Sequence, residues 1–299
     1  MGPVPATPLS TGAHTVEVGG VALRYHVSGT GPVCLAHPGG PGIWWDYLRM
    51  PAVEQHLTMV YVEPIGTGES GRLASHPHGY TRERYAQALD RLIAHLGVRR
   101  VHLLGHSHGG FVTQHYALKY ADRLAGIILY DSAPLTGPEQ FADAAARMEG
   151  FAAAHADAHG LPDVLDAWRS VPTISDDEAM TAVVQRLFPA YFADYWGREE
   201  EFAAARTAVR GTYISGFDER MEPVLIDDRE LLGSVMTPTL VIVGRHDFIC
   251  GPRWADELHE GIPSSELVVL EDSGHFGHLE EPDVFARAVA GFVASTAGA

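Results

Sequence analysis

Three residues far apart in the chain have the types needed for nucleophilic acyl transfer. They are Ser107 in Gly105–His106–Ser107–His108–Gly109, Asp247 in Gly244–Arg245–His246–Asp247, and His275 in Asp272–Ser273–Gly274–His275–Phe276. A serine hydroxyl is a poor nucleophile at neutral pH. It becomes a good one when an imidazole takes its proton and a carboxylate fixes the tautomer of that imidazole. Gly-x-Ser-x-Gly after an apolar run is the pattern of a strand-to-helix elbow that lifts the serine above a sheet, and the chain order Ser, Asp, His goes with it. The elbow glycines are read sterically: a side chain at Gly105 or Gly109 would strike the neighbouring strand and helix. The predicted reaction runs through an acyl-enzyme, with Ser107 attacking, His275 moving the proton and Asp247 orienting it.

Acyl transfer also needs N–H donors for the oxyanion. One is predicted at His108, the residue after the nucleophile. The other is predicted in the Gly/Pro loop His37–Gly42, with Gly40 first and Gly39 second. Rival assignments exist. Asp131 and Asp272 are alternative acids, and His278 is an alternative base. With seventeen histidines in the chain, an arbitrary one is structural. His275 stands out because it follows an apolar run directly. His106 and His108 flank the serine but should point away from it.

These side chains must be held by a framework, and the apolar pattern supplies one. Residues 15–18 and 21–27 read as a hairpin around Gly19–Gly20. Short β-branched or aliphatic runs at 32–36, 57–63, 101–106, 126–130, 239–243 and 266–270 are bounded by Gly or Pro and read as buried strands. Helical periodicity marks 81–96, 111–120, 254–261 and 282–294, with Thr81 as a cap. Continuous apolar strands alternating with helices predict an α/β fold: a mostly parallel central sheet flanked by helices. Residues 132–233 break the rhythm. They are rich in Ala, acidic and aromatic residues, with helical patterns at 141–155 and 199–209, and read as a helical cap inserted into a core of 1–131 and 234–299. Ser107, Asp247 and His275 would then all sit at carboxyl ends of strands, the edge where such sheets bind ligands.

Composition narrows the partners. A chain of 299 residues, 46% hydrophobic and 20% charged, can bury a large core. A formal net charge of −17 argues against nucleic acid and anionic membrane surfaces. Met1–Ser10 lacks the basic start and apolar core of a secretory leader, and Ala6 stands where a myristoylation motif needs Ser or Thr. A cytoplasmic location with Cys34 and Cys250 reduced is expected, although one disulfide is possible. No zinc-ligand spacing is present, and no metal or cofactor is implied.

Together these motifs resemble the α/β-hydrolase superfamily and, within it, the proline iminopeptidase family. Gly39–Gly40–Pro41–Gly42 resembles that family's oxyanion loop. The elbow, acid and base loops match as quoted above, and Glu63–Pro64–Ile65–Gly66–Thr67–Gly68–Glu69–Ser70 corresponds to another family loop. The resemblance implies removal of a small N-terminal aminoacyl group, Pro or Ala, from a peptide or amide. The substrate would be a small-molecule or peptide-like compound, free or carried on a protein, such as an aminoacylated polyketide-type intermediate. Phe248 stands where the family often has an amine-binding Glu, His108 replaces a common Trp, and Glu63 replaces the usual Asp with no Arg after it. An amine clamp must then come from elsewhere, with Glu63, Asp218, Glu219 and Glu222 as candidates. Trp44, Trp45, Tyr213 and Phe248 are candidates for an apolar pocket. An esterase or lactonase without amine recognition needs the same triad, and a non-catalytic ligand receptor on this scaffold is the third reading.

Overall fold

The computed structural model describes residues 7–296. The leader and acylation readings of the N-terminus rest mainly on residues 1–6, which lie outside that range. Eight strands form one sheet: β1 Gly12–Val18, β2 Val21–Ser28, β3 Val33–His37, β4 Thr58–Val62, β5 Val101–His106, β6 Leu124–Tyr130, β7 Thr239–Gly244 and β8 Ser265–Leu270. Their order is β1-β2-β4-β3-β5-β6-β7-β8. The β1–β2 and β2–β4 pairs are antiparallel, and all others are parallel. The hairpin turn falls on Gly19 and Gly20, both at positive φ (59° and 83°), where glycine has no Cβ to clash.

Ten helices accompany the sheet among the described residues: α1 Pro51–Glu54, α2 Arg82–Leu96, α3 His108–Tyr120, α4 Pro138–Ala154, α5 Leu161–Ser170, α6 Asp177–Leu187, α7 Glu199–Ala208, α8 Pro252–Gly261, α9 Gly277–Glu280 and α10 Pro282–Thr296, with short 3₁₀ turns between some of them. Thr81 caps α2 by accepting the N–H of Arg84 at 3.3 Å. Successive strand residues feed opposite faces of the sheet. Leu35, Leu103, Ile127 and Val241 pack with α2, α3 and α8 residues on one face. Cys34, Leu104, Ile128 and Ile242 pack with α10 residues on the other. Residues 132–233, carrying α4 to α7, put no strand into the sheet. Cys34 and Cys250 are free and buried. Among the described residues, no helix is long and apolar enough to cross a membrane.

From β3 the chain turns one way to β4 and then crosses back to β5 on the other side. The carboxyl ends of β3 and β5 therefore diverge at a switch point in the strand order, which leaves a crevice between the loops that follow them.

Candidate active site

Ser107 sits in that crevice. Its backbone has φ 53° and ψ −118°, a strained conformation for a non-glycine residue. Neighbours on three sides hold it there. Its N–H donates to the Tyr130 carbonyl at 2.9 Å, and its carbonyl accepts the Gly110 N–H and the Ser132 hydroxyl, each at 2.9 Å. The glycine requirement is steric. A Cβ on Gly105 would lie 2.2 Å from the Gly109 carbonyl oxygen, and one on Gly109 would lie 2.2 Å from that of His37.

The other two side chains arrive from β7 and β8. His275 Nδ1 lies 2.8 Å from Asp247 Oδ2. The second oxygen of Asp247 accepts the N–H groups of Ile249 (2.8 Å) and Cys250 (3.1 Å), so the buried carboxylate is fixed from both sides. An Nδ1–H given to Asp247 leaves the lone pair on Nε2. The His275 N–H donates to the Tyr191 carbonyl at 2.7 Å, which ties the loop to the segment between β6 and β7. Of the rivals, Asp272 lies exposed at the surface, its N–H given to Glu281. His278 is buried between Tyr130 and the Tyr47 carbonyl.

Ser107, His275 and Gly40 line one cavity of about 210 Å³. Its walls come from Gly39, Gly40 and Ile43 in the loop after β3, from Trp168 to Val209 in the inserted segment, and from Phe248, Ile249 and Phe276. No Asp, Glu, Lys or Arg is among its lining residues.

A model of the alpha/beta hydrolase fold family matches residues 32–282. The chain belongs to that family. This α/β hydrolase is 26% identical to a 2-hydroxy-6-oxononadienedioate/2-hydroxy-6-oxononatrienedioate hydrolase of Klebsiella pneumoniae, over 93% of this chain and 94% of the other. It is 25% identical to a proline iminopeptidase of Pestalotiopsis fici, over 92% and 96% respectively. Among solved structures it is similar to a thermophilic esterase from Thermogutta terrifontis, with a TM-score of 0.71 and 26% identity, over 95% of this chain and 99% of that one.

Within the α/β hydrolase cavity, the predicted pocket residues separate. Phe248 lines it, as do Gly39 and Gly40. Trp44, Trp45, Glu63, Tyr213 and Glu219 do not, and each is occupied elsewhere. Trp44 Nε1 donates to Thr212, and Trp45 stacks on His26 with ring centroids 4.0 Å apart. Glu63 is buried under the 63–70 loop, bonded to His26 (2.5 Å) and the Glu69 N–H (2.6 Å). The Tyr213 N–H binds Asp177, and Glu219 pairs with Arg84 at the surface. Asp218 accepts the N–H groups of Arg220 and Glu222 within its own exposed turn. A carboxylate in a sequence does not show its partner: Glu63, Asp218 and Glu219 are engaged elsewhere, Glu222 is exposed, and none of the four lines the cavity.

Sequence reasoning missed a polar chain beneath the nucleophile. The Gly39 N–H donates to the Tyr47 hydroxyl at 2.7 Å, and that hydroxyl lies 2.7 Å from His106 Nδ1. His106 Nε2 lies 2.9 Å from the His275 carbonyl. A carbonyl only accepts, so Nε2 donates and Nδ1 takes the Tyr47 proton. Gly39 thus has its N–H engaged, and both Gly39 and Gly40 line the cavity. His106, expected to point away from Ser107, instead lines the cavity with it, its ring centroid 4.5 Å from that of His275. Burial holds its imidazole well below the usual range. Only the polar end of a buried tyrosine, which usually seeks a partner, hinted at Tyr47.

His108 opens α3, so its N–H belongs to the first helical turn, which has no acceptor within the helix. Its half-buried ring meets Tyr85 and Phe111 edge-on, and desolvation pulls it down to about 3. The buried Cys250 thiol, which accepts from Gln140 Nε2 at 3.9 Å, is pushed well above its ordinary value by burial. Donor atoms of His106, Asp131 and His275 lie within 4.8 Å of one another. Both nitrogens of His106 and Nδ1 of His275 are already engaged, so a cation there would have to break the framework just described.

Proposed function

We propose that this α/β hydrolase is a serine-dependent ester hydrolase acting on a small, uncharged, apolar acyl group. The observation that carries the reading is the cavity lining. Gly, Ile, Val, Leu, Met and aromatic residues surround Ser107, with no formal charge of either sign among the acidic and basic side chains. A free α-ammonium or a substrate carboxylate placed there would be desolvated without a counter-charge, a penalty of several kcal/mol per ion. The volume, about 210 Å³, is below the ~300–1,000 Å³ of drug-sized pockets. It suits a short acyl chain.

Ser107 attacks the acyl carbon as His275 Nε2 takes its proton. Asp247 fixes the tautomer and balances the imidazolium. The N–H groups of Gly40 and His108 receive the oxyanion, where loss of one donor costs roughly 10²–10³ in rate. His275 then protonates the leaving alcohol, and water repeats the sequence on the acyl-enzyme. Similarity to the Thermogutta esterase supports this reading.

Cleavage of an N-terminal Pro or Ala residue is the second reading, supported by the similarity to the Pestalotiopsis enzyme. A panel of 4-nitrophenyl esters and prolyl and alanyl β-naphthylamides separates the two. The ester reading expects kcat/KM for 4-nitrophenyl butyrate at least a hundredfold above the aminoacyl amides, with activity and fluorophosphonate labelling both lost in Ser107→Ala. A preference for free-amine substrates that disappears on N-blocking overturns it.

A further inference from the structure

Asp131 lies at the end of β6, beside the end of β7 that carries Asp247. It is fully buried, and its backbone is held at φ 45°. Its N–H donates to the Ile242 carbonyl at 2.9 Å, and its Oδ1 accepts the Gly244 N–H at 2.8 Å. Its Oδ2 is buried with no hydrogen-bond partner among the described residues. One of its oxygens lies within 4.8 Å of a ring nitrogen of His275 and of His106. A strained, buried carboxyl with an unpaired oxygen next to the triad imidazole is costly to keep. The mechanism above gives it nothing to do.

We propose that Asp131 is a second positioning carboxyl for His275, able to orient the imidazole and balance its charge when Asp247 is removed. The inference rests on the serine-hydrolase reading. Two adjacent parallel strands end at the same level, so each delivers a carboxyl to the same imidazole from a different side. Two carboxylates at one buried site cannot both stay ionised. Asp247 has two N–H donors and the His275 Nδ1–H, and it holds the charge. Burial, and then the charge of Asp247, raise the Asp131 carboxyl well above its ordinary value, so it rests neutral. Of the other titratable groups facing it, Glu280 after β8 raises it further, Tyr130 on its own strand pulls it down without overcoming burial, and Cys250 after β7 and Tyr47 are kept uncharged by burial. His106 is kept uncharged by burial. To replace Asp247, Asp131 must release its proton to solvent, after which it can accept Nδ1–H.

The test compares native enzyme, Asp247→Ala and Asp131→Asn/Asp247→Ala, with folding checked by circular dichroism. Alanine is used at 247 because asparagine would present an N–H donor to Nδ1 and impose the wrong tautomer. Loss of the orienting carboxylate usually lowers kcat by about 10⁴. Here Asp247→Ala is expected to lose about a hundredfold or less in ester hydrolysis and in fluorophosphonate labelling of Ser107. Its pH–kcat profile should gain an acid limb at higher pH than the native enzyme, as Asp131 must ionise. The double variant should lose a further hundredfold and that limb with it. Identical rates and profiles for the single and double variants overturn the proposal. Should Asp247→Ala not fold, infrared spectra of the native enzyme decide. A protonated-carboxyl stretch that vanishes in Asp131→Asn supports the proposal, and its absence overturns it. Failure of the native enzyme to label at Ser107 would instead remove the serine-hydrolase reading itself.

Discussion

Glu280 holds the residue that precedes His275: its Oε2 accepts the Gly274 N–H at 2.7 Å. The other oxygen accepts the N–H of Ala193 at 2.8 Å, so one side chain joins the His275 loop to the segment that roofs the cavity. The His275 N–H bond to the Tyr191 carbonyl lies alongside it. The imidazole is thus positioned partly by residues 191–193, which follow α6, and not by the sheet alone.

Removing that carboxylate strands two backbone donors, at about 1–3 kcal/mol each. Glu280→Ala is expected to lower Tm and to lower kcat tenfold or more with little change in KM, because the base moves while the cavity wall stays. Glu280→Gln keeps one acceptor oxygen and should fall between. Native kcat in the alanine variant would show that the loop holds itself.

Tyr47 connects the Gly39–Gly40 loop to the His275 backbone through His106. In Tyr47→Phe the Gly39 N–H loses its acceptor and His106 Nδ1 its donor, both inside a dry site. A loss of about 1–3 kcal/mol corresponds to roughly a five- to hundredfold fall, since each 1.36 kcal/mol is tenfold. The fall is expected in kcat and in the labelling rate of Ser107, since the tyrosine oxygen binds protein groups and does not accept the acyl chain. A change confined to KM would contradict this arrangement.

Gly109 offers a purely steric check. Alanine there puts a Cβ 2.2 Å from the backbone oxygen of His37 and 2.8 Å from that of Pro38. Neither oxygen can swing aside as a side chain could. Gly109→Ala is expected to cost about 3 kcal/mol or more, in the upper range for overpacking, and to separate β3 from the elbow. Thermal unfolding of the purified variant measures it, and an unchanged Tm would contradict the close approach of elbow and oxyanion loop.

The framework was legible because its signals are local. Apolar runs marked all eight strands within a few residues, and Gly105 and Gly109 marked the elbow through collisions that any compact version of it would produce. What stayed hidden depends on partners distant in sequence. Glu63 and Glu219 looked like free carboxylates until His26 and Arg84 were found beside them. Tyr47 and His106 are 59 positions apart, and no period links them. In the inserted segment, α5 and α6 were not singled out, and Trp168, Val184 and Leu187 in these helices form much of the cavity wall. Helical periodicity shows that such residues are apolar on one face, not that the face meets a serine.

The shifted histidines are expected to set an acid limit on the stability of the fold. Burial pulls His37, His102 and His278 down to about 4, and His108 to about 3. It pulls His106 well below its ordinary value as well. In the unfolded chain each titrates near 6.5. Between pH 6.5 and 4 the unfolded chain therefore holds protons that the folded one refuses. Stability is full above about pH 6.5 and is lost as pH falls toward 4. The buried carboxyls of Asp131 and Glu280, raised by burial, the latter to about 7, work in the opposite sense. The buried histidines with lowered values outnumber the buried carboxyls with raised ones, so acidification through this window is expected to destabilise the fold on balance. Calorimetry from pH 8 to 5, in buffers of different ionisation enthalpy, should show Tm falling with acidification and protons taken up on unfolding. A flat Tm over that range would mean that these imidazoles accept protons inside the fold.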